Sequence, residues 1–142
     1  MSAGAVALVD TGPLVALFDP SDADHDPCKQ ALGQLRRYRR VTSLAVLTEA
    51  VYLLNFSTRA QQALLTFVAA GAVEIADFNT ALVSRAAALM ERYDSLPMDF
   101  ADATLVVLAE LFQTTTVFTL DCRDFGAYRL GRRAFRLVPA PA

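Results

Sequence analysis

The sequence predicts an α/β protein, with a mainly parallel sheet covered on both faces by helices. Three observations carry this. Apolar runs of strand length, residues 5–9 and 116–120, each stop at an aspartate. Longer segments with helical spacing alternate with them, as in parallel sheets joined by crossover helices. The 142 residues are 54% apolar and only 20% charged, against about 25% charged in an ordinary domain. That composition suits a sheet buried on both faces.

The elements follow in order. Ala5-Val-Ala-Leu-Val9 has the length of a buried strand and ends at Asp10-Thr11-Gly12-Pro13, a turn-like stop. Pro13 suits the first turn of a helix, which predicts a short helix over 14–18. Asp19 to Pro27 reads as a polar connection holding four of the fifteen acids, with His25 as a loop residue in it. Residues 28–38 have helical spacing, with Ala31, Leu32 and Leu35 on one side. Val41-Thr42 is a short strand. Ser43 caps a helix over 44–55, and Thr58 opens another that runs to Gly71, its C-cap. Residues 73–76 are a strand and 81–93 an Ala-rich helix, interrupted by Asp94-Ser-Leu-Pro97. A helix over 99–113, a strand over 116–120, a loop or helical turn over 124–133 and a last strand over 134–138 complete the chain. No repeat or linker divides it, so residues 1–142 are expected to form a single domain.

Composition excludes several classes. Disorder needs low hydrophobicity with high net charge. No apolar run approaches the ~18 residues of a membrane span. Met1-Ser-Ala-Gly4 places no basic segment before an apolar one, so no secretory signal is read and a cytoplasmic location is expected. A net charge of −2 argues against binding nucleic acid by bulk charge alone. Cys28 and Cys122 with the single His25 cannot assemble a Cys/His zinc set, and two free thiols are expected.

The few charges matter for where they fall. In open α/β sheets, ligands bind beyond the carboxyl ends of strands. Asp10 and Asp121 each follow an apolar strand there. Glu49 and Asp102 lie inside apolar helices, with no Lys or Arg one helical turn away. A lone buried carboxylate is costly, so each must be neutral, paired or metal-bound. If the fold gathers these acids, a divalent cation relieves their repulsion, and carboxylates without Cys or His ligands point to Mg²⁺ or Mn²⁺. Each acid also has a plainer role. Asp10 stops a strand and caps a helix, Glu49 meets a distant Arg, and Asp99, three residues before Asp102, serves as an N-cap. Asp124 reads as a cap or Asx-turn beside Asp121.

In these segments the chain resembles the PIN-domain ribonucleases, especially the VapC-like toxins of toxin–antitoxin pairs. The resemblance runs through Ala5–Leu17, Leu47-Thr-Glu49-Ala-Val-Tyr-Leu-Leu54, Met98-Asp99-Phe-Ala-Asp102 to Ala109, and Val117-Phe-Thr-Leu-Asp121-Cys-Arg-Asp124-Phe125. It implies a three-layer α/β/α fold with a five-stranded parallel sheet, and a Mg²⁺- or Mn²⁺-dependent endoribonuclease that leaves 5′-phosphate and 3′-hydroxyl ends. It implies a homodimer and a cognate antitoxin as partners, with tRNA or another structured RNA as substrate. The family's acids carry over to Asp10, Glu49, Asp102 and Asp121, with Asp99 an additional acid in second place. Thr11 and Thr119 match polar positions beside the site. Cys122 departs from the usual polar or basic residue after the fourth acid.

Two arginine groups offer phosphate contacts: Arg36, Arg37, Arg39 and Arg40, and then Arg123, Arg129, Arg132, Arg133 and Arg136. Their plainer role is solubility and, for Arg36 and Arg37, a helix C-terminal dipole. Surplus apolar residues on the 44–54 and 61–68 helices suit a dimer face or an antitoxin groove. The competing function is a catalytically inactive PIN-like module that binds RNA or protein. A phosphotransfer enzyme is disfavoured, because no Gly-rich phosphate loop ending in Lys is present.

Overall fold

The first apolar run forms strand β1, Val6–Val9, and all of its residues are buried. In the computed structural model, which describes residues 4–141, β1 is the middle strand of a five-stranded sheet. Its neighbours are β2 (Arg39–Thr42) and β4 (Thr116–Phe118), with β3 (Glu74–Ile75) and β7 (Arg136–Val138) at the edges. Every pairing is parallel, and Leu8 stands opposite both Val41 and Val117. Parallel neighbours need long crossovers. Helices α1 (Thr11–Leu17) and α2 (His25–Gln34) join β1 to β2, α3 (Leu44–Leu53) and α4 (Thr58–Ala69) join β2 to β3, and α5 (Thr80–Arg92) and α6 (Phe100–Phe112) join β3 to β4. Crossovers run outward from β1 to β3, then back across the sheet to β4, and place helices on both faces. The expected three-layer α/β/α architecture is what forms.

Helix α6 anchors the core. Every residue from Ala101 to Ala109 is buried, as expected of a helix that is apolar all round. Caps set the helix starts: Ser43 accepts from Val46 N, Asn79 from Leu82 N and Asp99 from Asp102 N. Gly71 follows α4 at φ +92°, a conformation suited to glycine.

Several boundaries differ from the sequence reading. Helix α1 begins at Thr11, not Leu14, because Asp10 caps it and Pro13 fits within its first turn. Helix α2 spans 25–34 rather than 28–38. Asp24 precedes it and Pro27 sits in its first turn, where a missing N–H leaves no hydrogen bond unmade. His25 is therefore a helix residue, not a loop residue, with Nδ1 2.7 Å from the Ala16 carbonyl oxygen. The chain then turns so that Arg39 N can donate to Ala5 O and open β2. Helix α4 opens at Thr58 as expected, with Ser57 as its cap.

The largest correction lies in 124–138. A helix α7 (Cys122–Ala127) is followed by an antiparallel pair, β5 (Arg129–Leu130) and β6 (Arg133–Ala134). Gly131 at φ +61° makes the two-residue turn between them. Residues 133–134 therefore belong to this hairpin, and the last sheet strand is only 136–138. Cys28 is buried and Cys122 exposed, both as free thiols. Among the described residues no helix is long and apolar enough to cross a membrane.

Packing around α6 gives a direct test. Leu108 is 0% exposed and Leu111, one turn on, is 57% exposed. Leu108→Ala is expected to destabilise by about 2–5 kcal/mol in urea unfolding, and Leu111→Ala by no more than about 0.5 kcal/mol. Equal losses would contradict the placement of α6.

Candidate metal centre

The site lies beyond the carboxyl ends of β1 and β4. Asp10 is the first residue after β1, held there by its N–H donating to Phe118 O at 2.9 Å. Asp10 is 6% exposed. Oδ1 accepts from Thr11 N at 2.8 Å, and Oδ2 accepts from the Thr119 hydroxyl at 2.7 Å. The Thr119 oxygen also accepts from Asp121 N at 2.9 Å, so one hydroxyl links the two strand ends. Thr11 Oγ1 is buried without a hydrogen-bond partner. Both threonines stand beside Asp10, Thr11 through its N–H and Thr119 through its hydroxyl.

Two further helix starts supply the other acids. Asp99 caps α6 by accepting from Asp102 N at 2.8 Å, and Asp102 stands in the first turn. Asp121 caps α7 by accepting from Asp124 N at 3.0 Å, and Asp124 stands in the first turn. One carboxylate oxygen from each of Asp102, Asp121 and Asp124 lies within 4.8 Å of the others. Glu49, half-buried on α3, joins Asp10, Asp99 and these three in lining a cavity of about 580 Å³, together with Asp22. Val15, Leu53, Pro97 and Leu120 add apolar wall, and among the described residues no Lys, Arg or His lines it. The structure thus brings all five predicted acids to one cavity.

Asp124 reaches the cluster as well, although the sequence reading makes it a cap. Its carboxyl does not cap; Asp121 performs that role for it. The signal was available: Asp121 and Asp124 have the same three-residue spacing as Asp99 and Asp102, which places both on one side of a helical turn. Tyr128, which donates to Asp102 Oδ2 at 3.0 Å, carried no such signal.

Crowding and burial change how these acids titrate. Burial pushes Asp10 up to about 6, against the hydrogen bonds from Thr119 and Thr11, with the Asp121 and Glu49 charges adding to the rise. Burial likewise pushes Asp102 up to about 7, helped by the charges of Asp99 and Asp10 and opposed by the Tyr128 hydrogen bond. A divalent cation fits this donor set. It would replace protons on clustered hard oxygens, and Thr11, whose buried hydroxyl lacks a hydrogen-bond partner among the described residues, lines the same cavity. Asp102, Asp121 and Asp124 would hold it, with Asp10 beside them.

The arginines divide. Arg39 pairs with Glu74 through two hydrogen bonds of 2.9 and 3.0 Å. Arg40 donates to the carbonyls of Ala72, Leu35 and Tyr38. Both open β2, at the end of the sheet opposite Asp10, and the exposed Arg36 and Arg37 precede them there. The two therefore lie beyond the end of α2 rather than in its last turn. Arg129 donates to the Gly126 and Tyr128 carbonyls, and Arg136 to the Tyr38 hydroxyl. Arg123 is exposed on α7 beside Asp124, and Arg132 and Arg133 are exposed on the hairpin.

The sign of the pH effect follows from the raised carboxyls. An unfolded Asp titrates near 3.9, so between about pH 4 and 7 the native metal-free protein binds more protons than the unfolded chain. Its stability therefore falls as pH rises through that window. In EDTA, the melting temperature is expected to drop from about pH 5 to about pH 8, and a double Asp10→Asn, Asp102→Asn variant to lose most of that slope. Mn²⁺ at a hundredfold excess over its Kd should restore about 2.7 kcal/mol to the wild type at neutral pH. Parallel melting profiles for the two proteins, with no response to Mn²⁺, would overturn this account of the site.

Residues 7–129 match the PIN domain family. Ribonuclease VapC26 of Mycobacterium tuberculosis is 33% identical over 135 residues, 93% of this chain and 99% of that protein. The crystal structure of Mycobacterium tuberculosis VapC20, described as a sarcin-ricin loop cleaving toxin, is similar with a TM-score of 0.79 and 25% identity, covering 91% of this chain and 99% of the other. VapBC2 of Rickettsia felis, solved with a fragment of promoter DNA, has a chain similar at a TM-score of 0.68 over 93% of this chain and 98% of its own; at 18% identity the likeness is one of fold. An acid cavity at the strand ends, a five-stranded parallel sheet and these matches agree: the chain belongs to the PIN-domain family, among its VapC-like members.

Proposed function

We propose that this chain is a divalent-metal-dependent endoribonuclease, a VapC-like toxin acting in the cytoplasm, with residues 1–142 as one nuclease domain. The observation that carries the reading is the approach of Asp102, Asp121 and Asp124 oxygens to within 4.8 Å of one another, in a cavity that Asp10, Glu49 and Asp99 also line. Mg²⁺ or Mn²⁺ suits that donor set. When bound, such an ion supplies Lewis acidity at a scissile phosphate and acidifies water for attack on phosphorus. The chain's residues provide the frame. Thr11 N–H and the Thr119 hydroxyl fix the Asp10 carboxyl, the Asp99 and Asp121 caps fix the starts of α6 and α7, and Val15 and Leu120 add apolar wall beside the acids.

The substrate proposed is tRNA or another structured RNA. An acidic cavity repels phosphates, so cations at its margin must offset that. Arg123, Arg132 and Arg133 are exposed on the segment that follows Asp121 and suit this role. Arg36 and Arg37, at the opposite end of the sheet, would meet only an RNA that spans the molecule. Arg39, Arg40 and Arg129 already bond groups of the chain itself. A cognate antitoxin is proposed as regulator on the strength of the family resemblance. A second copy of the chain is proposed as partner because Leu44, Tyr52, Leu53 and Phe56 expose 47–69% of their surface along α3 and its end.

Cleavage of structured RNA with Mg²⁺ or Mn²⁺ tests the activity. Asp10→Asn, Asp102→Asn and Asp124→Asn are each expected to lose about 100-fold or more, since even outer-shell changes at metal sites cost 10–100-fold. Cleavage persisting in all of them would sink the site. RNA bound but uncut, with no metal uptake by the wild type, would turn the reading to a binding module. An Arg123→Gln, Arg132→Gln, Arg133→Gln variant should bind RNA more weakly with a shallower salt slope; unchanged slope and affinity would discard those contacts. Sedimentation is expected to give the mass of two chains, and a concentration-independent monomer would contradict the pairing.

A further inference from the structure

Tyr128 follows α7 as its C-cap and is fully buried. Tyr93 and Phe125 pack edge-on against its ring, each with centroids 5.1 Å away. Its backbone N–H donates to the Asp124 carbonyl at 3.1 Å, which ties the ring's position to the end of α7. From there its hydroxyl reaches across to α6 and donates to Asp102 Oδ2 at 3.0 Å. No other described side chain donates to that carboxyl.

The packing does not need this hydroxyl, since a phenyl ring would fill the same space. A buried tyrosine oxygen does need a polar partner, and here the partner is a member of the acid cluster. Tyr128 thus connects the helix that carries Asp121 and Asp124 to the carboxyl of Asp102. We propose that Tyr128 is a positioning residue, whose hydroxyl fixes the orientation of Asp102 toward Asp121 and Asp124 and thereby sets the affinity of the cluster for a divalent cation. The inference rests on the metal-site reading above. Carboxylates and hydroxyls that hold a ligand in place commonly affect metal affinity as well as structure.

The test titrates Mn²⁺ into metal-free protein, following thermal unfolding and heat of binding. Tyr128→Phe is expected to raise the half-saturating Mn²⁺ by about 10–100-fold, with RNA cleavage recovering at saturating Mn²⁺. Tyr93→Phe is the control. Its hydroxyl accepts only from Arg129 N, at 3.2 Å, so its Mn²⁺ titration should match wild type. A merely structural role for Tyr128 would lower the melting temperature in EDTA and leave the Mn²⁺ midpoint unmoved, which would overturn the inference. Should Tyr128→Phe fold poorly, a cycle decides: in an Asp102→Asn background, adding Tyr128→Phe should leave Mn²⁺ affinity unchanged, and a further loss would overturn the route through Asp102. A wild type that takes up no Mn²⁺ overturns the metal-site reading together with this inference. A wild type that takes it up equally with Tyr128→Phe overturns this inference alone.

Discussion

Several carboxylates share one cavity at the strand ends, and their mutual repulsion is the constraint on which the arrangement depends. Asp102, Asp121 and Asp124 approach within 4.8 Å, next to an Asp10 that is 6% exposed. The fold answers this in three ways. Asp10, Asp99 and Asp121 each cap a helix, and Asp102 and Asp124 sit in first turns, so α1, α6 and α7 direct their positive ends at the negative charge. Neutral donors, Thr11 N–H and the Thr119 and Tyr128 hydroxyls, take up individual oxygens. Asp10 and Asp102 then retain protons well above the usual carboxylate range, a state that a cation reverses by taking the protons' place.

Strand ends and helix starts coincide at this cavity because the sheet is parallel. Each crossover between parallel strands brings the chain back so that strand ends share one edge, so residues more than a hundred positions apart, Asp10 and Thr119, become hydrogen-bond partners. The buried stretch of α6 from Ala101 to Ala109 holds Asp102 in place as part of the core, so an acid sits amid Ala101, Ala103 and Leu105 without a neighbouring cation.

How much of this was legible in the sequence varies by feature. The first and fourth strands, each ending at an Asp, announced the sheet, the site and the two acids that the sheet positions. Asp102 and Glu49 were legible as charges in apolar company. Helix α2 was misplaced because Pro27 looks like a breaker until it is seen within a first turn. The segment after Asp121 was the least legible: α7 is six residues long and the hairpin strands two each, too short for periodicity to register. Tyr128 belongs to that segment, and its partner is 26 residues away, a distance no local pattern reveals. The arginines show the same limit. Arg39 and Arg40 look alike in sequence, yet one pairs with Glu74 and the other with backbone carbonyls.

The edges of the sheet have a consequence for how copies of the chain meet. On one side β3 offers only Glu74 and Ile75; on the other β7 offers Arg136 to Val138 and is followed directly by Pro139, which has no N–H to give. Such edges are poor templates for continuing a sheet from one molecule into the next. Self-association is thereby steered away from open-ended strand addition, which can run on into fibres, and toward helical surfaces, where contact closes on itself and stops at a defined number of chains.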